Sequence, residues 1–208
     1  MNETQRKLIR ATEQLLCEAG LARVTTRKIA QAAGISEGAL YHHFRDKAER
    51  LDAVVQDKLV NFQEVLESLP LLVGQNTVSE NLERMLERAY QTQIQIVPFI
   101  SLPFADQELM IRSREILKER EACPANKIAA LTAYLRAEQR LERLAADIDT
   151  EAAAKLLLAS TFHAATLDLF FAPDVTPEHV RLQIKATVQV VMKGLQPRAT
   201  ANALPNRM

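Results

Sequence analysis

The chain of 208 residues is predicted to be all-α, a head of three short helices followed by a larger helical body. Three observations predict it. β-Branched residues nowhere form a clean alternating run between turn signals, whereas apolar residues recur at three- and four-residue spacing throughout. Helix starts are marked by Ser, Thr or Asp, two of them with Glu three positions on, and stops by Gly or Pro. The punctuation also changes along the chain: three of the five glycines lie between Gly20 and Gly38, while all eight prolines come at Pro70 or later. That change implies two parts, a head over residues 1–46 and a body over 47–195. The last segment, 196–208, contains Pro197 and Pro205 and is expected to be a disordered tail.

The head opens with an amphipathic helix ending in Glu18-Ala19-Gly20. The next stretch, Thr25 to Lys47, reads TTRKIAQAAGISEGALYHHFRDK, two short helices joined by a glycine turn. Thr25 or Thr26 can cap the first of these, with Ile29 and Ala33 sharing a face. Gly34 stands just past its end, where a left-handed backbone favours glycine. Ser36 can cap the second, which runs to about Phe44 with Leu40 as its core anchor. Asp46 to Glu49 is then a D-x-x-E capping box that starts a third helix with Lys47 in its first turn.

A helix-turn-helix lays its second helix into the major groove, with the first residues at base edges and the flanks on phosphates. Small residues at Gly38 and Ala39 permit close approach, and the free amides beside Lys47 suit a phosphate. Tyr41, beside His42 and His43 and flanked by Arg27, Arg45 and Lys47, is read as phosphate-facing rather than core. His42 and His43 point about 100° apart on a helix, so they are not read as a metal pair. Glu37 puts a carboxylate where the phosphate field is most negative. It either accepts from a cytosine amino group or turns away to pair with Arg27 or another cation.

The segment Leu8 to Leu51, with Thr25-Thr26, Ile29-Ala30, Ala33-Gly34-Ile35-Ser36, Gly38, Leu40-Tyr41, His43-Phe44 and Lys47, resembles the N-terminal domain of the tetracycline-repressor (TetR-like) family of transcriptional regulators. The resemblance covers roughly a fifth of the chain. It implies Tyr41, His43 and Lys47 at phosphates, Thr26 and Arg27 at the backbone or a nearby base, and Glu37, Gly38, Ala39 and His42 at base edges, with Thr25 and Ser36 completing the contact segment. It also implies repression by occlusion of a promoter.

In the body, residues from Lys47 to about Leu69 keep Leu51, Val54, Val55, Leu59, Phe62, Val65, Leu66 and Leu69 on one stripe before Pro70. Thr77 to Glu80 is a T-x-x-E box opening a helix to about Gln95, with Leu82, Met85, Leu86, Ala89 and Tyr90 inward. Pro98 and Pro103 are expected to interrupt it, leaving Ile94 to Phe104 as an irregular apolar wall. A charge-dense helix from about Ala105 to Glu121 is read as a solvated face, and another runs from Pro124 to about Arg143. Thr150 to Phe171 is apolar nearly all round, which requires burial on two sides. Thr176 caps a last helix, with Pro177 at its start and Gly194 as its stop. Its apolar residues Val180, Leu182, Ile184, Ala186, Val188, Val190 and Val191 are too many for a monomer's surface.

These last two helices, Thr150 to Phe171 and Pro177 to Lys193, are therefore expected to form a homodimer interface, as the resemblance also implies. A two-fold dimer needs a near-palindromic DNA operator. Candidate residues for an apolar or amphipathic small-molecule effector are Met85, Tyr90, Phe99, Phe104, Met110, Tyr134, Phe162 and His163. Core packing explains each of these except His163 more economically. His163 is read first as a core or interface histidine.

Composition bounds the alternatives. The formal net charge is zero, yet residues 1–50 carry nine Lys or Arg against six Asp or Glu, so the small basic excess sits on the head. No apolar N-terminal run or uncharged span of about 18 apolar residues supports a secretory signal or a membrane helix, and a cytoplasmic protein is expected. Cys17 and Cys123 are too few for a disulfide framework and lack ligand spacing, so no metal is expected, and Cys17 is read as inert. No convergent nucleophile and base and no glycine-rich phosphate loop is visible, so neither an enzyme nor a cofactor is expected. An all-α enzyme, or a helical interaction module that has lost DNA binding, are the competing readings.

Overall fold

The computed structural model describes residues 2–20, 23–120 and 125–195. Among the described residues the chain is helical with no strand: α1 (Glu3–Ala19), α2 (Thr26–Ala33), α3 (Glu37–His43), α4 (Lys47–Ser68), α5 (Val78–Ile100), α6 (Gln107–Glu119), α7 (Ala125–Arg140), α8 (Thr150–Phe171) and α9 (Pro177–Leu195). Short 3₁₀ turns at Leu69–Leu72 and Leu102–Ala105 follow α4 and α5. The expected tail, 196–208, lies outside the described residues, as do Cys123 and Pro124.

Most boundaries follow from side-chain caps that complete the free amides of the first turn. Thr25 Oγ1 accepts from the Lys28 amide at 3.3 Å and Ser36 Oγ from that of Ala39 at 3.2 Å. Gly34 adopts φ 69° and ψ 33°, the left-handed stop expected of it. At the start of α5 the box is reciprocal: Thr77 Oγ1 accepts from the Glu80 amide and Glu80 Oε2 from the Thr77 amide. Asp149 Oδ1 caps α8 by accepting from the amides of Glu151 and Ala152.

Two expectations are corrected. The helix α5 does not stop near Gln95 but continues through Pro98 to Ile100, so Ile94 to Ile100 is regular helix and the irregular wall shrinks to the turn that follows. Pro98 sits in the last turn, where its missing N–H removes one bond and little helix remains beyond it. Gly194 does not end α9, which reaches Leu195, one residue past it. Within the single chain α8 is buried on one side, through Thr150, Ala153, Ala154, Leu157, Thr161 and Ala165.

The chain divides into two compact units, Met1–Gln63 with Thr92–Pro124, and Glu64–Gln91 with Ala125–Met208. In the first, Leu8, Ile9, Ile29, Ala30, Leu40, Phe44, Leu51 and Val54 form a core that Phe99, Leu109 and Ile116 join. This core fixes α2 and α3 against α1 and leaves their outer residues free.

In the second, α7 packs on α8 and α8 on α9, with Leu131, Leu135, Leu157, Val180, Ile184 and Val188 buried. A buried polar cluster ties the loop before α5 to α7. Glu138 is fully buried, and its carboxylate accepts from the Gly74 amide at 3.1 Å and pairs with Arg143 Nη1 at 2.9 Å. The guanidinium of Arg143 also donates to the Asn76 carbonyl. Nearby, Asn81 Nδ2 donates to the Tyr134 hydroxyl at 3.0 Å, and burial pushes that hydroxyl's pKa up to about 12. By length and composition α8 could cross a membrane. Its interior Asp168 instead accepts from the Tyr90 hydroxyl at 2.7 Å, the pairing a half-buried carboxylate requires.

Candidate nucleic-acid interface

The reading surface follows from one buried residue. Leu40 is fully buried, so the rest of the short helix α3 turns outward: Glu37, Gly38, Tyr41 and His42 are exposed, while Ala39 and His43 are half-buried. Tyr41, at 53% exposure, is not the core tyrosine of the alternative reading. Thr25, Arg27 and Ser36 are exposed beside it, and Thr26 and Lys47 are half-buried. Every residue assigned to DNA is therefore at least partly at the surface of the first unit, on α2, α3, their caps and the first residue of α4.

Glu37 makes a bond that neither alternative names. Its carboxylate accepts from the Thr26 hydroxyl, at the first residue of α2, and does not pair with Arg27. A hydroxyl eleven residues away has no signal in the sequence beyond the two helix starts falling together. This bond ties the start of α2 to the start of α3 and fixes one carboxylate oxygen on the outward side.

The turn after α3 is held by charge. Asp46 Oδ1 accepts from the Glu49 amide at 2.8 Å, half of the expected capping box. The other half is displaced by one residue, because Glu49 Oε2 accepts from the Arg45 amide at 2.7 Å and Oε1 from Arg45 Nε at 2.6 Å. Asp46 Oδ2 in turn accepts from Arg112 Nε at 2.8 Å, and Arg112 lies 3.6 Å from Glu49 and 2.9 Å from Glu115. A second bridge joins Arg120 to Asp52 at 2.8 Å. Burial alone would raise the Asp46 carboxyl, but bonds from Arg112 and the Glu49 and Ala48 amides outweigh it and hold the group below its usual range. Arg112 does not belong to a purely solvated face, as the charge density of its helix suggests. It is the hub joining α6 to the start of α4, a partnership across 66 residues that local pattern cannot reveal.

Two further groups carry no sequence signal. Lys47 Nζ lies 3.6 Å from Asp106 Oδ2, and Asp106 caps α6 by accepting from the Leu109 amide at 3.0 Å. Arg50 is only 8% exposed, and its Nη1 has no hydrogen-bond partner among the described residues, so a buried cation stands behind the interface.

The effector candidates fall in both units. Phe99 is in the core of the first unit, Phe104 is 82% exposed and Met110 is half-buried. Met85, Tyr90 and Tyr134 are buried in the second unit, whereas Phe162 and His163 are exposed on α8, so His163 is no core histidine. An open crevice of about 570 Å³ is lined by Asp46, Gln107, Glu108, Ile111, Arg112 and Glu115, none of them among the eight. Cys17 is exposed, and partial burial with the nearby Glu13 carboxylate raises its pKa, which suits an inert thiol. Among the described residues no group of three or more His, Cys, Asp or Glu is placed to hold a metal ion.

A capped α2, a left-handed glycine, a capped α3 with a polar outer side and a third helix beginning at Lys47 define a helix-turn-helix DNA-binding regulator of transcription. Residues 8–54 match the family model for bacterial regulatory proteins of the tetR family. The chain is 27% identical over 164 residues to the HTH-type transcriptional regulator ArpR of Pseudomonas putida, across 76% of each chain. It is 46% identical over 52 residues to the class A tetracycline repressor of transposon 1721 from Escherichia coli, a match spanning 25% of this chain and 24% of that one. A TetR-family transcriptional regulator from Mesorhizobium loti has the same fold, with a TM-score of 0.75 at 17% identity, covering 93% of this chain and 96% of that one. Residues 8–54 are thus a DNA-binding domain of the tetR type, and the rest of the chain shares the fold of TetR-family regulators.

Proposed function

We propose that the protein is a homodimeric repressor. Its two α3 helices enter successive major grooves of a near-palindromic operator, and an apolar or amphipathic small molecule releases it. The observation that carries the dimer is the unpartnered apolar side of α8 and α9. Leu156, Leu167 and Phe170 lie exposed on α8, and Leu182 and Val190 on α9, while Val180, Ile184 and Val188 face inward. That much apolar surface, on a regulator whose target symmetry calls for two heads, is best covered by a second copy of the chain. Residues 1–46, with Lys47 at the junction, then carry the DNA contacts and the rest of 47–195 the dimer and effector functions. Half-site centres would lie about 34 Å apart, or a multiple of one helical turn.

In the head, Tyr41, His43 and Lys47 are assigned to phosphates, Thr25, Thr26, Arg27 and Ser36 to the backbone or an adjoining base, and Glu37, Gly38, Ala39 and His42 to base edges. The effector reading now rests on the second unit, where Met85, Tyr90 and Tyr134 supply apolar walls and the Tyr90–Asp168 bond a polar handle. Release requires an effector that binds the DNA-incompetent state more tightly, with a typical coupling of about 1–3 kcal/mol.

The experiment is a titration of DNA from upstream of the chain's own coding sequence, followed by fluorescence anisotropy at several salt concentrations. Lys47→Ala is expected to weaken binding to all sequences and to reduce the salt slope by about one ion. An unchanged slope removes Lys47 from the phosphate contacts, and a failure to bind any fragment at low salt removes the DNA-reading function itself.

A further inference from the structure

Asp106 lies outside residues 8–54, at the head of α6, and nothing in the helix-turn-helix pattern points to it. Its carboxylate is held in place by its first oxygen, which accepts from the Leu109 amide at 3.0 Å, while its second oxygen faces Lys47 Nζ at 3.6 Å. It therefore cannot swing away from the lysine without uncapping α6. The hydrogen bond from the Leu109 amide, chief among its neighbours, also keeps the carboxyl below its usual pKa, so it is ionised at neutral pH. Arg112, on the same helix, is paired with Asp46, Glu49 and Glu115, and the ion-pair partner of Asp106 is Lys47.

Lys47 is the first residue of α4 and the cation assigned above to a phosphate. An ammonium paired with a fixed carboxylate offers less charge to an approaching phosphate, and the carboxylate repels that phosphate directly. We propose that Asp106 is an affinity-setting residue of the DNA site, competing with a DNA phosphate for Lys47 from the N-cap of α6. Any change at the start of α6 that withdraws this carboxylate strengthens DNA binding. The inference rests on the assignment of Lys47 to the DNA interface.

The test is Asp106→Asn in the full chain, since asparagine caps a helix as well as aspartate does but carries no charge. The probe is a fluorescent duplex of about 30 base pairs of random sequence, titrated over a range of low salt concentrations, with the melting temperature of each protein followed by circular dichroism. The variant is expected to bind about two- to five-fold more tightly than the wild type. In a Lys47→Ala background the same substitution is expected to change affinity by less than about half of that factor.

Equal gains in both backgrounds would overturn the proposal, because they would report general charge removal and not competition for Lys47. Unchanged affinity in a folded Asp106→Asn protein would overturn it as well. If that variant is unfolded, Asp106→Ser, which also caps, carries the same expectation. No binding by the wild type at the lowest salt would overturn the DNA reading together with this one. Binding by the wild type with no response to Asp106 leaves the DNA reading standing alone.

Discussion

The two units solve the same problem, a helical chain with limited apolar volume, in opposite ways. In the first, apolar residues of α1 to α4 and α6 build one core, with Val60, Phe104 and Ile111 left outside it, and the turn into α4 with its neighbours on α6 is organised by charge: Asp46, Glu49, Asp52, Asp106, Arg45, Lys47, Arg112 and Arg120 all have partners. In the second, charge is taken inside, as Glu138 with Arg143, while Phe170, Phe171, Leu182 and Val190 are left outside at 76%, 81%, 61% and 71% exposure. The outward side of α2 and α3, which shows polar side chains over that core, is finished as a surface and free to meet the polar backbone of DNA. The apolar side of α8 and α9 is unfinished as a surface, and it is this side that the proposed second copy would cover.

The largest effect should come from breaking the second half of that contrast. Leu182, Ala186 and Val190 share an outward stripe of α9, opposite the buried Val180, Ile184 and Val188. A charge on that stripe, Leu182→Asp, is expected to raise the dimer dissociation constant by about 30-fold or more, read by sedimentation velocity across a concentration series. The monomer's helical content should be unchanged, because Leu182 is not part of the core. A variant that stays dimeric at all concentrations would mean that this stripe is covered by something other than a second copy.

Next comes the buried charge. Glu138→Ala removes one partner of an internal ion pair and leaves Arg143 and the Gly74 amide without their acceptor. The expected cost is about 3 kcal/mol in urea unfolding, the Arg143 side being partly solvated. Alkali acts on the same unit. Burial raises the Tyr134 pKa to about 12 and, with the Asp168 bond, raises that of Tyr90 further. Both are raised above their unfolded values, so their contribution is complete below about pH 10 and is lost as pH climbs through the folded values. In the first unit the sign reverses for Asp46, whose depressed pKa makes its contribution complete above about pH 4 and lost on acidification. Asp52 opposes this, because burial raises its carboxyl.

The parts legible in sequence are those fixed by local chemistry. Thr25, Gly34, Ser36, Thr77 and Asp149 act within three or four residues of themselves, so caps and stops of this kind can be placed by reading along the chain. The single buried Leu40 is enough to orient α3. What cannot be read are pairings of residues far apart in the chain: Thr26 with Glu37, Lys47 with Asp106, Asp46 with Arg112 and Gly74 with Glu138. A charge on a helix looks solvated until its partner is known, which is why Arg112 passes for a surface residue. The proline rule fails at Pro98 for a related reason, since the cost of one missing hydrogen bond falls on a packed helix end and not on an isolated peptide.

A smaller effect tests the first unit alone. At Gly34 an added Cβ meets nothing within 4 Å, so Gly34→Ala isolates the backbone cost of φ 69°. That cost is expected to be about 1 kcal/mol in unfolding, with DNA affinity preserved at temperatures where the variant is folded. A loss of DNA binding without loss of stability would mean that the angle between α2 and α3 is held by this residue and not by the core.

The smallest effect concerns the bond that joins those two helices. Because the Thr26 hydroxyl fixes one oxygen of Glu37, the carboxylate presents the other as an oriented acceptor on the side assigned to base edges. Thr26→Val keeps the shape and removes the donor, while Thr26→Ser keeps the donor. If Glu37 reads a cytosine amino group, the Thr26→Val substitution should reduce discrimination at one base pair of the operator by about two- to five-fold, and the Thr26→Ser substitution should not. On a Glu37→Gln background the same threonine change should have a different effect, since the two residues act as one unit. A uniform loss across all base pairs would mean that the bond serves the packing of the head. Loss confined to one base pair would mean that an acceptor in the negative field of the phosphates is kept there to be read, which is the only return the head gains for carrying it.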